Sequence, residues 1–132
     1  MKSICFALAF VILVPPLCGC GPAEEPRYAL HGTVKFKGQP IREGRIAFSN
    51  AAKGVHLNAE VGQDGSYEVT SYRGKGVPTG EYTVSILPSV LPSPPPRDLW
   101  PFIPMKYRNP ATSGLTFTVA EGDNLFDVDM KP

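Results

Sequence analysis

The chain has 132 residues, with 13 Lys or Arg against 12 Asp or Glu and a formal net charge of +1. So even a balance leaves no basic footprint for nucleic acid and no polybasic grip on anionic lipid. The length allows one domain with a modest core.

In chain order, Lys2 precedes the uncharged apolar run Ile4 to Val14, which Leu17-Cys18-Gly19-Cys20 closes. A positive start, an apolar stretch shorter than the roughly 20 residues of a spanning helix, and a small-residue end are the parts of an export signal. Pro15 and Pro16 would also end a helix there. The tetrapeptide resembles the bacterial lipobox. That resemblance implies removal of residues 1–19 and attachment of lipid to Cys20, which anchors the chain to a membrane. The alternative is an ordinary signal peptide cut elsewhere, with Cys20 a free thiol. Cys5 and Cys18 leave with the signal, so no intramolecular disulfide or cysteine metal site is expected. Two or more lipid chains give stable anchoring without help from charge. Residues 20–27 are then the modified cysteine and a tether, in which Gly21 to Arg27 reach at most about 25 Å. Gly21 follows the cysteine where aspartate favours inner-membrane retention in many diderm bacteria, so the expected location is the cell envelope, outer membrane over inner.

From Tyr28 the apolar residues recur with period two. Tyr28, Leu30, Val34 and Phe36 share a face, with Gly32 in the slot between Leu30 and Val34, and Lys37-Gly38-Gln39-Pro40 breaks the run. Ile46 and Phe48 form the next segment, followed by Val55, Leu57, Ala59 and Val61, and Asp64-Gly65 is a strong turn signal. Tyr67 and Val69 alternate with polar residues, and Pro78-Thr79-Gly80 introduces Tyr82, Val84 and Ile86. After a Pro-rich stretch come Leu115, Phe117 and Val119, then the turn Glu121-Gly122-Asp123. Phe126, Val128 and Met130 alternate with Asp127 and Asp129. Seven short strands with one apolar face each predict an all-β fold, a seven-stranded antiparallel sandwich of two sheets over residues 28–132.

Gly32-Thr33-Val34-Lys35-Phe36-Lys37-Gly38-Gln39-Pro40 resembles the opening strand of carboxypeptidase-regulatory-like domains, and Gly44 to Phe48 their second strand. Asp64-Gly65-Ser66-Tyr67 resembles their DGxY turn, and Pro78-Thr79-Gly80-Glu81-Tyr82-Thr83-Val84 their PxGxYxV segment. The tail from Ile103 to Met130 is similar to that of small lipoproteins of planctomycete type. The resemblance covers the domain and implies a transthyretin-like, prealbumin-like sandwich. It implies no ligand.

The search for chemistry returns little. His31 and His56 are the only histidines, and both are expected on outward faces as solvated polar residues. Asp127 and Asp129 share the outward face of the last strand, about 7 Å apart, with Asp123 in the preceding turn. Without a compact loop of oxygen ligands, they read as an acidic face that discourages edge pairing. Tyr67 and Tyr82 are expected as core residues with a polar tip at the rim. No nucleophile motif, phosphate loop or metalloprotease helix occurs. The transthyretin-fold hydrolases of 5-hydroxyisourate end in Tyr-Arg-Gly-Ser, whereas Asp-Val-Asp-Met-Lys-Pro stands here. No enzyme, metal or cofactor is expected.

Pro88 to Pro110 holds eight of the fifteen prolines, too long a connection to be mere linkage in a compact domain. Pro92 to Pro96 should be stiff and polyproline-like. Beyond it lie Trp100, Phe102, Ile103, Met105 and Tyr107. These either fold down as a lid of extra core or present an aromatic patch to a glycan or protein, with Trp100, Phe102 and Tyr107 as the contacts. A lid that leaves Trp100 partly exposed satisfies both. The expected function is that of a lipid-anchored, non-catalytic binding or scaffold domain for an envelope protein or polysaccharide. The alternatives are a small-molecule hydrolase and a spacer or folding accessory of a membrane partner.

Overall fold

The computed structural model describes residues 24–71, 74–89 and 103–132, together with Gly19 and Gly21. Residues 1–18 of the expected export signal, Cys20, the stretch Pro92 to Pro96 expected to be polyproline-like, Trp100 and Phe102 lie outside the described residues. The rest is all-β, and one larger sheet is formed by β4 (Arg45–Asn50), β5 (Val55–Glu60), β10 (Gly80–Leu87) and β11 (Leu115–Val119). Its order is β11-β10-β4-β5, antiparallel throughout. The other is centred on β2 (Leu30–Phe36), flanked on one edge by β3 (Gln39–Pro40) and β6 (Ser66–Glu68) and on the other by β12 (Asn124–Leu125) and β13 (Val128–Met130). Two small ribbons complete the fold: β1 (Arg27–Tyr28) with β9 (Val77–Pro78), and β7 (Thr70–Ser71) with β8 (Gly74–Lys75).

The two larger sheets face each other across one apolar core. Leu30 and Val34 from β2 meet Ile46 and Phe48 from β4 and Tyr82, Val84 and Ile86 from β10, all fully buried. Phe48 joins the layers: its ring centroid lies 6.0 Å from that of Tyr67 and 6.3 Å from that of Phe126, which belong to the opposite layer. Period-two patterning produces this directly, since alternate residues of a strand project to opposite faces. In β4 the residues alternate between half-buried and buried along its length.

Two expectations are corrected. The run from Tyr28 to Phe36 is two strands, because Arg27–Tyr28 pairs with Val77–Pro78 and the chain then passes into the β2 sheet. The closing strand is not antiparallel: β12 and β13 both run parallel to β2, in one continuous register from Leu30↔Asn124 to Phe36↔Met130. The cause is the turn at Glu121-Gly122-Asp123, which crosses from one layer to the other instead of forming a hairpin. Asn124, buried at that corner, accepts from the Ala120 amide and donates to the carbonyls of Ala29, Ala120 and Gly122.

The parallel ladder is interrupted at its centre. There the Phe126 carbonyl turns over Gly32, and a Cβ on residue 32 would lie 2.0 Å from that oxygen. The carbonyl accepts a 2.7 Å hydrogen bond from the Tyr67 hydroxyl, and the Thr33 amide donates to Asp127 Oδ1 at 2.8 Å. A glycine inside a strand marks such a close backbone approach.

Candidate functional site

The end of the molecule from which the Pro-rich segment leaves is built by the Leu87 end of β10 and the Arg45 end of β4, which are paired. Gly44 makes room for the segment's return: a Cβ there would stand 3.2 Å from the Leu87 carbonyl and 3.6 Å from Cδ1 of Ile103. Ile103 is fully buried, Pro104 is buried, and a single 3-10 turn follows at Met105–Arg108. The Tyr107 amide donates to the Pro104 carbonyl and Arg108 Nε to the Ile103 carbonyl. Thr112 Oγ1 donates to the Lys106 carbonyl, and buried Ser113 gives its hydroxyl to the Val84 carbonyl of β10. The return leg is thus tied down by polar bonds as well as apolar burial.

Tyr107 is placed differently from a partner contact. Only 7 % exposed, it packs in the core, and its hydroxyl accepts from the Lys131 amide at 3.0 Å. Lys106 Nζ lies 4.9 Å from its ring centroid and donates to the Pro132 carbonyl. Burial therefore takes the ring off the surface that was expected to meet a partner, and Tyr107 serves as an anchor for the segment and for the residues after β13. Met105, two residues earlier in the same turn, points out at 73 % exposure.

The polar residues singled out in the sequence are spread over other faces. His31 on β2 sets Nε2 at 3.0 Å from both carboxylate oxygens of Asp123. That hydrogen bond raises the imidazole pKa, with the charges of Asp123, Glu68 and Asp127 adding and desolvation opposing. His56 is exposed on β5, its Nδ1 3.2 Å from the Ser49 hydroxyl. Asp127 receives both the amide and the hydroxyl of Thr33, and Asp129 receives the Gly38 amide and lies 3.6 Å from Lys131 Nζ. The three aspartates expected as a solvated row each hold β2 or the turn after it. Among the described residues, no group of three or more His, Cys, Asp or Glu is arranged to hold a metal ion.

The tyrosines carry more than rim polarity. Burial, aided by the Asp127 charge, pushes the Tyr67 phenol far above its usual range, which fixes it as a donor to Phe126. Tyr82 donates to the Pro78 carbonyl four residues upstream, its pKa also raised, chiefly by burial. Sequence reasoning missed Asn124, Ser113 and the Tyr67–Phe126 bond. Only Gly32, interrupting an apolar face, signalled the last of these.

Among the described residues no helix is long and apolar enough to cross a membrane. Comparison with protein-family models, with curated proteins and with solved structures finds no match.

Proposed function

We propose that this chain is an exported lipoprotein held to a membrane of the cell envelope through lipid on Cys20. Its β domain is non-catalytic and carries the Pro88–Pro110 segment as a binding element for an envelope protein or polysaccharide. The observation that supports this reading is where the chain enters and where the segment is rooted. The N-terminal strand β1 enters at the Gly80 end of β10, with Arg27 opposite Pro78. Glu25 reaches Lys53, whose Nζ also bonds the Thr79 carbonyl. The segment leaves from the other end, after Leu87, and returns there at Ile103. Seven strand rises separate the two ends by about 23 Å. A domain tethered at one end would therefore hold the segment on the side away from the bilayer. A proline-rich sequence loses little entropy on binding, and Trp100 and Phe102 are residue types whose rings stack on sugars and side chains.

A transthyretin-like sandwich remains the proposed fold family. Two sheets around one core support it, while the parallel closing strand is a departure from an all-antiparallel arrangement.

The anchor is tested by feeding cells a clickable fatty acid. Label on the wild type, lost together with membrane association in Cys20→Ala, is expected; label retained in that variant overturns the anchor. The binding surface is tested with Trp100→Ala and Phe102→Ala, whose capture of envelope material should fall at least about tenfold, the loss of one hot-spot ring. Capture unchanged, with thermal unfolding intact, overturns the surface.

A further inference from the structure

The edges of the two sheets are guarded unequally. β3 carries Pro40, the β12–β13 edge carries Asp127 and Asp129, and β5 lies against β6 and β7. Proline and charged side chains are the usual means by which a sheet edge refuses a further strand. β11 has none of them. Its sequence Leu-Thr-Phe-Thr-Val has no charge and no proline, and it stands at the end of its sheet, paired only with β10 among the described residues. Thr116 and Thr118 are exposed, and Leu115 and Phe117 only half-buried.

The direction of its free groups follows from the ladder. In an antiparallel pair, the N–H and C=O of alternate residues turn towards the neighbour. The Val84 carbonyl is met on the β11 side by Ser113 Oγ, so Tyr82 and Val84 face β11. Their partners Phe117 and Leu115 face back. The backbone groups of Thr116 and Thr118 consequently point outward.

We propose that this edge is a self-association surface: β11 pairs antiparallel with β11 of a second copy, about a two-fold axis through Phe117. The five residues are nearly palindromic in chemistry. About that axis Thr116 stands opposite Thr118 of the other copy, and Leu115 opposite Val119. The two Phe117 rings meet in the closer, non-hydrogen-bonded position. Each Thr116–Thr118 pair exchanges two backbone bonds, four in all. Thr–Thr and aromatic pairs are favoured across strands, and the apolar residues of both copies fall on the same side, the side where Phe117 already stacks on Phe126 at 4.7 Å. The absence of charge matters equally, because two identical charged edges would oppose like against like, and this one opposes nothing. A two-fold contact of this kind closes at the dimer and leaves no edge of β11 for a fibre. It is independent of the lipid on Cys20 and of the Pro-rich segment.

The full chain in detergent is tested by sedimentation equilibrium and by thiol cross-linking. Thr116→Cys mixed with Thr118→Cys is expected to form a disulfide, since hydrogen-bonded partners lie about 5.5 Å apart. Either variant alone places its cysteines about 7–8 Å apart, beyond that reach. The double variant Thr116→Lys/Thr118→Lys sets like charges opposite each other on an outward face. It should weaken self-association at least about tenfold while leaving the thermal midpoint unchanged at dilutions where the wild type is monomeric. A monomeric wild type, cross-linking equal in single and mixed samples, or a dimer indifferent to the double lysine variant overturns the proposal. So does capture of a different protein's strand on β11.

Discussion

Tyr67 donates its phenolic hydrogen to the carbonyl of Phe126 by reaching across the bare Cα of Gly32. Tyr67 and Gly32 are direct partners in the β2–β6 pair, and Phe126 lies at the break between β12 and β13 on the opposite edge of β2. Three strands are thus joined at one point where the central one has no side chain.

Gly32→Ala should therefore be among the most damaging small substitutions in the domain. The added methyl would sit 2.0 Å from the Phe126 oxygen, and backbone cannot yield as a flexible side chain would. A loss of about 3 kcal/mol is expected, read from the urea midpoint at unchanged slope.

Tyr67→Phe keeps the ring and removes the donor, leaving the Phe126 carbonyl without its bond. The cost should be about 1–3 kcal/mol. Asp127→Ala frees the Thr33 amide at the same ladder break. The double variant should cost less than the two losses added, because both repair one interruption; strict additivity in a double-mutant cycle would contradict that.

The His31–Asp123 pair gives stability a pH dependence of definite sign. The hydrogen bond to Asp123 lifts the imidazole above its ordinary 6.5. A raised folded-state value means that protonation favours the fold. The contribution is complete below 6.5 and is lost as pH rises through the folded value. The advantage of the wild type over Asp123→Asn should accordingly be greater at pH 5 than at pH 8. NMR titration of the His31 ring should show its pKa falling in that variant.

Lys37 adopts φ 50° at the first turn position of the β2–β3 hairpin, followed by Gly38 at φ 78°. Both positive angles suit the tight two-residue turn, but Lys bears a steric cost that Asn largely escapes. Lys37→Asn should stabilise by about 0.5 kcal/mol, visible as a small rise in thermal midpoint.

Tyr107→Ala should cost about 3–5 kcal/mol, as expected for a buried aromatic ring. The same change should expose the Lys131 amide to faster hydrogen exchange.

Strand positions were legible in the sequence because each apolar face alternates cleanly, as in Ile46-Ala47-Phe48 and Tyr82-Thr83-Val84. The direction of the last strand was not. Phe126, Val128 and Met130 project to the core whether the strand runs parallel or antiparallel, so periodicity carries no sign. Direction was set by Asn124, whose side chain builds a corner that composition does not announce. The Asp residues were placed correctly on an outward face, but a sequence shows no partner 94 positions away. Tyr107 was legible as apolar and ambiguous as to duty, because a ring suits a core and a contact equally well.

The register that joins residue 30 to residue 124 also governs when the domain can form. β2 is among the first strands to emerge from synthesis, yet one of its edges has no neighbour until β12 and β13 arrive. Pairings between such distant positions are slow, since the loop must close before any contact rewards it. A chain delivered from its amino end therefore keeps this edge of β2 open until the residues of β12 and β13 are free, and completes that sheet late.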